Sequence, residues 1–479
     1  MGKLEETEPT VEVEHHKLEM KRSISLFHVI SILCSVTGHV SVFVAPAAIL
    51  SYTGSIALSL ILWVFGGIMN LFLALCFTEL GTMFPKSGGA YAYILQVFGP
   101  LPGFLTAWGY LTLISGPHWA FCAYSASLYA MKPFYLDCKP PDAAIRLLAI
   151  WILVTFVAIN CSYVKFVTKA QSVLTVTKLL ALLLIIVCGL ISFVKDGAEN
   201  LSDPWEGTES RPFVIAMSLF FSVFTYGGWQ IVTNLMEEVK NPGRDLPKAV
   251  YISMFIITAE FTLTNVAYYI VIDKYDVLQS TTVAMLFFER FYPPLMPVIS
   301  ALVAITAIGV LNCSILGHSR VLFAASRNEQ APVMFSMINT KFLTPWPAIF
   351  LLTLWSIVML VSGALFTMME LVSLFSIILS FSVVVTQLYL RWKQPHAERP
   401  YKTFLFIPIS QFALIIVVFF LCIYQEPLKL GRGLAILAAG LPAYWFGVLW
   451  RKKPKVYHRF MRWVRMITAS RLGQDCHCF

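Results

Sequence analysis

The chain has 479 residues, 58% of them hydrophobic and 13% charged, with a mean hydropathy of +0.74; soluble globular domains carry about 25% charged residues, so a soluble architecture is excluded. The formal charge of +9 is explained by membrane topology and attraction to anionic lipid, and no nucleic-acid partner is expected. No HExxH, GxSxG or phosphate-binding loop occurs, so the chain is read as a non-enzyme that needs neither cofactor nor metal.

Residues 1–22 are polar and charged and do not read as a cleaved signal peptide, which needs an early apolar core and a small-residue cleavage site. Crossing a hydrocarbon core of about 30 Å takes roughly 20 apolar helical residues. Twelve runs qualify: 26–50, 55–78, 102–131, 147–164, 171–194, 212–236, 249–272, 295–319, 347–367, 371–390, 404–424 and 433–450. The expected fold is an all-α membrane protein with twelve transmembrane helices, flanked by a 1–22 tail and a basic 451–479 tail. Lys and Arg concentrate in alternate connections, 163–169, 237–248 and 391–402, and after 451, which the positive-inside rule places in the cytoplasm together with both termini.

In chain order, the first run carries CSVTGHVSVFVAP, where Thr37, Gly38, His39 and Ser41 cluster among apolar residues ahead of Pro46. Cys138 stands in KPFYLDCKPPDAA, a loop this topology puts outside, where thiols oxidise. No second cysteine falls in an outside loop, so Cys138 implies an intermolecular disulfide or a free thiol. The cysteines inside the runs (Cys34, Cys76, Cys122, Cys161, Cys188, Cys313, Cys422) read as small apolar residues. Lys178 is an ammonium inside the fifth run, expensive in a bilayer and a functional candidate, unless its stem snorkels to an interface. Asn200 in NLS is a glycosylation sequon close to the membrane. The sixth run holds FTYGGWQIV at 224–232, with Gly227 and Gly228 beside Tyr226, Trp229 and Gln230. Glu260 lies at the centre of the seventh, and Cys476 and Cys478 close the chain in a poor match to a prenylation box.

In lipid every backbone N–H and C=O must be satisfied inside the protein, so a helix is interrupted only where it is buried or lines a cavity. A Gly-Gly pair in mid-run favours such unwinding, the alternative being close packing of small residues. Runs one and six, both irregular, are five apart. That spacing is expected of two five-helix repeats of opposite topology, about 23–195 and 212–392, with two further helices at 404–450. Substrate is then held between the breaks, an anionic group at helix N-termini and a cationic group at free carbonyls, which suits a zwitterion.

The segments CFTELGTMFPKSGGAYAYILQVFG (76–99), FTYGGWQ, EEVKNPGRDLPKAV, SRVLFAASRNEQAP (319–332), AERPYK and GLPAYWFGV (440–448) together resemble the light chains of the heteromeric amino-acid transporters, in the amino acid/polyamine/organocation superfamily. The resemblance runs from about residue 22 to 455 and in detail is nearest the branch holding the b(0,+) and y+L systems and the aromatic-preferring transporter. It implies that Cys138 forms the disulfide to a single-span glycoprotein heavy chain, of the rBAT type or the other heavy chain of the family. It also implies that backbone around Phe224, Tyr226 and Gly227 receives the substrate's amino group, with Phe224 as an aromatic gate. Gln230 occupies a position that is acidic in carriers of cationic side chains, so its neutral amide argues for neutral substrates; a plain interhelical hydrogen bond is the alternative. Lys178 resembles a built-in cation where other members of the fold bind sodium, tying span five to carbonyls of span one.

Three departures stand out. Family members carry Gly-Ser-Gly-Ile-Phe where this chain, aligned on Phe43 and Pro46, reads His39-Val40-Ser41-Val42-Phe43, so both glycines that would let N–H groups reach a carboxylate are gone. Gly38 compensates through a one-residue shift, or a neutral His39 donates to the carboxylate, or His39 fills the gap between helices. Glu260 replaces an aromatic or apolar residue, and pairing with a polar partner, proton sensing and facing a wet cavity all stay open. Leu379 replaces a polar residue and predicts a more apolar side-chain pocket. The resulting expectation is a sodium-independent exchanger of neutral, large or aromatic amino acids at the plasma membrane. Its rivals are a cationic amino-acid or polyamine carrier and a binding or sensing subunit impaired in transport.

Overall fold

The computed structural model describes residues 22–449 except 39, 136–139, 163, 281, 340, 341, 343, 364, 426. Cys138 and His39 therefore lie outside the described residues, as do both tails. The described chain is helical throughout, apart from turns, loops and one isolated bridge between Ile24 and Val239.

Among the described residues nine helices are long and apolar enough to cross a membrane, including Ile56–Met83, Phe166–Asp196 and Pro293–Arg327. Two shorter apolar helices, Trp346–Ser362 and Phe406–Leu421, supply spans nine and eleven. Span three changes hydrogen-bond register midway: α-helices Pro100–Gly109 and Gly116–Met131 flank a π-helical turn, Tyr110–Ser115. Pro117, which has no N–H to donate to the preceding turn, follows just after it.

Spans one and six are the broken ones. Span one is helix Leu26–Val36, an unwound stretch with a 3₁₀ turn Ser41–Phe43, and helix Ala45–Thr53, whose second residue is Pro46. Span six is helix Pro212–Thr225 and, beyond 226–228, a tighter segment Trp229–Glu238. Span one packs against spans five, seven and eight, and span six against span two. The last contact is close because span two offers glycine: a Cβ on Gly66 would lie 2.2 Å from Ser222 Oγ, and one on Gly67 2.3 Å from Thr258 Oγ1 of span seven. Small residues at helix crossings are how bilayer helices gain packing when burial alone drives nothing.

The end of the bundle that carries the Lys/Arg-rich connections is tied by buried ion pairs. Arg320 Nε meets Glu238 Oε1 at 2.8 Å with both side chains almost fully buried, and Glu79 is shared by Arg391 and, at 3.4 Å, Arg399. Gln387 Nε2 and Thr403 N–H also donate to Glu79, at 2.8 and 2.9 Å. Ser23 and Ile24 N–H donate to Glu238 O, each at 2.9 Å, so the chain entering span one is fastened to the end of span six.

Candidate functional site

The turn in span one is made by Gly38, at φ +76 after an extended Thr37. A Cβ at Gly38 would come within 2.3 Å of the buried Phe261 ring, so both the dihedral and the space require glycine. In span six the left-handed residue is Gly228, at φ +108, one position beyond the Gly227 singled out in the sequence. A Cβ at Gly227 meets only Phe224 O, at 3.3 Å.

The two breaks are bonded to each other. Gly38 N–H donates to Gly227 O at 2.9 Å, and Ser41 Oγ lies in donor range of Thr225 O, at 2.9 Å, and of Gly38 O. Ser41 N–H also closes the turn onto Gly38 O, at 2.8 Å. Val40 is buried, and its carbonyl receives Phe43 N–H at 3.1 Å. Phe224 is half-buried in the last turn before the break, and its carbonyl accepts Gly227 N–H at 3.0 Å.

Tyr226 turns its side chain away from the break. Its ring packs on Trp63 and Phe261, with centroids 6.1 and 5.1 Å away, and its hydroxyl donates to Trp63 O at 2.9 Å. It offers the break only backbone. Gln230 folds back, its Oε1 accepting Gly228 N–H at 2.9 Å, which caps the first turn of the tighter segment and leaves its Nε2–H groups as donors.

Lys178 is 1% exposed, so its ammonium does not snorkel to a surface. Nζ donates to the carbonyls of Cys34, Ser35 and Thr37 at 3.0, 3.1 and 2.6 Å and stands 5.7 Å from the centre of the Phe261 ring. These are the unsatisfied carbonyls at the C-terminus of helix Leu26–Val36, the end where the helix dipole favours a cation. One side chain of span five thus satisfies three groups freed by the break in span one.

A side chain at the break that was not singled out in the sequence is Asn70 of span two. Its Nδ2 donates to Val223 O at 2.7 Å and Gly66 O at 3.0 Å, and its Oδ1 accepts Trp229 Nε1–H at 3.1 Å, so one amide braces span six on both sides of its break. The signal was a lone amide within the apolar GGIMNLFLAL.

Glu260, next to Phe261, is partly buried, and its Oε2 has no hydrogen-bond partner among the described residues. Leu379 lines an apolar cavity of about 260 Å³ with Ile94, Phe98, Leu105 and Phe375, whose walls include none of the break residues. Asn200 is half-buried and donates to Ile270 O at 3.1 Å, which holds its loop against span seven.

Comparison with known proteins agrees with this architecture. The model of the amino acid permease family matches residues 24–448. The human cystine/glutamate transporter is 34% identical over 95% of this chain and 89% of its own length. Mouse large neutral amino acids transporter small subunit 2 is 32% identical over 94% and 86%. Mouse Asc-type amino acid transporter 1 is 31% identical over 97% and 87%. A family match across both broken spans and the helices that hold them makes this chain a member of the amino acid permease family, a multi-pass membrane transporter of the twelve-span fold.

Proposed function

We propose that the chain is a sodium-independent exchanger of neutral, large or aromatic L-amino acids, working at the plasma membrane with both termini cytoplasmic. The observation that carries this reading is the Lys178 ammonium on three carbonyls of span one, a fixed cation at the flank of the break where a sodium ion would otherwise be needed. The zwitterion lies between the breaks, its ammonium toward the carbonyls of 224–227 and its carboxylate toward the stretch 38–41 that holds His39 and Ser41, where the N–H groups of Gly38 and Ser41 are already taken by Gly227 O and Gly38 O. Gln230, which offers donors and no charge, disfavours cationic side chains.

A second substrate reading has its own support. The relative at 34% identity is named for cystine and glutamate, and the Nε2–H donors of Gln230 suit a side-chain carboxylate as well as a neutral group. Counterflow separates the two. Vesicles bearing the protein and preloaded with L-phenylalanine, L-glutamate, cystine or L-lysine should accumulate label with the neutral amino acid; trans-stimulation confined to glutamate and cystine transfers the proposal to acidic substrates, and stimulation by lysine alone ends both.

The partner is a heavy chain held through Cys138; one relative is itself named a small subunit. In native membranes a non-reducing gel should show a band far above the 53.8 kDa of the chain, and Cys138→Ser should remove it. A band unchanged by the mutation rules out this anchor.

Phe224 is the proposed gate. In the counterflow assay Phe224→Ala should weaken the apparent affinity for aromatic amino acids several-fold, since an aromatic pair contributes about 0.5–1.5 kcal/mol beyond its buried area. An unchanged affinity removes Phe224 from the site.

A further inference from the structure

We infer that Ser41 is a built-in competitor for the ammonium group of the substrate, an inference that rests on the reading that the amino acid lies between the two breaks. A helix that stops at Thr225 leaves its last carbonyls without intrahelical donors, and a bilayer protein must satisfy them from elsewhere. The structure does so from span one. Ser41 Oγ reaches Thr225 O at 2.9 Å and Gly38 N–H reaches Gly227 O at 2.9 Å, so hydroxyl and amide hold the acceptors that a substrate ammonium would use. Thr225 is itself buried, and the donor that span one gives its carbonyl is Ser41 Oγ.

The two donors differ in what they can yield. Gly38 N–H is fixed in the backbone by a turn that only glycine can make. Ser41 Oγ can rotate about one bond, and its other acceptor, Gly38 O, lies within its own turn. An ammonium carries a full charge and makes hydrogen bonds about twice as strong as a neutral hydroxyl does. It therefore displaces Ser41 from Thr225 O, and the hydroxyl falls back on Gly38 O. The serine thus stabilises contact between the breaks when no amino acid is bound and lowers apparent affinity when one is. A glycine or alanine at this position has no hydroxyl to compete.

The test uses the purified full-length protein with its heavy chain and reads thermal unfolding across titrations of L-phenylalanine and L-glutamate. The desamino counterparts, 3-phenylpropionate and glutarate, serve as controls. Ser41→Ala should lower the unfolding temperature without added amino acid. It should also reduce the half-saturating concentration of whichever amino acid binds by at least about two-fold and up to about five-fold, the worth of one ordinary hydrogen bond being the upper bound because the displaced hydroxyl keeps Gly38 O. Ser41→Thr, which keeps the hydroxyl, should behave as the parent, and the desamino acids should gain nothing from Ser41→Ala. A merely structural serine would instead weaken unfolding temperature and binding together. Equal half-saturation in Ser41→Ala and parent overturns the inference, and so does an equal gain for the desamino acids. If neither amino acid binds any form while Ser41→Ala still lowers the unfolding temperature and Ser41→Thr restores it, the contact stands and the substrate reading falls. No change in any of these measurements removes both.

Discussion

Lys178→Ala should reduce exchange to background in vesicles at matched surface expression, while the parent's exchange should be indifferent to replacing sodium by choline. The size of the effect follows from what the ammonium holds. Its loss leaves the carbonyls of Cys34, Ser35 and Thr37 without their donor in a buried setting, and each unsatisfied group costs roughly 1–3 kcal/mol. The C-terminus of helix Leu26–Val36 also loses the positive charge that its dipole favours. The helix end would then have to unwind further or draw in water, and Gly38, one residue beyond Thr37, would lose its position against span six. Lys178→Arg should restore only part of the activity, because a planar fork does not replace a compact ammonium among three converging carbonyls. Full exchange by Lys178→Ala, or a requirement for sodium in the parent, would sink the built-in cation.

The twelve spans could be read from the sequence because bilayer thickness sets a minimum length for each apolar run and the chain spends few residues between runs. The breaks were legible for a related reason: glycines and polar residues in mid-run, at Gly38 and at Gly227 and Gly228, conflict with an unbroken helix in lipid. Which glycine makes the turn was not legible, since Gly227 and Gly228 are chemically identical and only the chain's exit direction selects the second. The partner of Lys178 could be anticipated only as a span, because the position of an ammonium in a run does not say which carbonyls of span one it meets. Asn70, the partner of Ser41 and the ion pairs escaped for a common reason. Ser41 and Thr225 are 184 residues apart, and Asn70 and Val223 are 153 apart. Periodicity reports which face of a helix is buried but carries no information on which distant helix covers it.

Arg320→Ala should destabilise the folded protein by about 3–5 kcal/mol, the usual cost of removing one partner from a buried ion pair. Arg320 and Glu238 side chains are 0% and 1% exposed, so the stranded carboxylate has no solvent to turn to. The guanidinium lies with Nε 2.8 Å and one terminal nitrogen 3.5 Å from the two carboxylate oxygens, and it reaches Ser319 Oγ with its other nitrogen at 3.1 Å. Glu238 is also the last residue of the tighter half of span six, and its backbone carbonyl fastens Ser23 and Ile24. Loss of the pair therefore frees span six from span eight and loosens the entry to span one, the two segments that carry the breaks. Thermal unfolding of detergent-purified protein should show a large drop for Arg320→Ala. The double variant Arg320→Met with Glu238→Gln should recover most of the loss, since it leaves no charge buried. If the double variant is as unstable as Arg320→Ala, the cost lies in packing around Arg320 rather than in the uncompensated carboxylate. If Arg320→Ala unfolds at the parent temperature, the pair does not hold spans six and eight together.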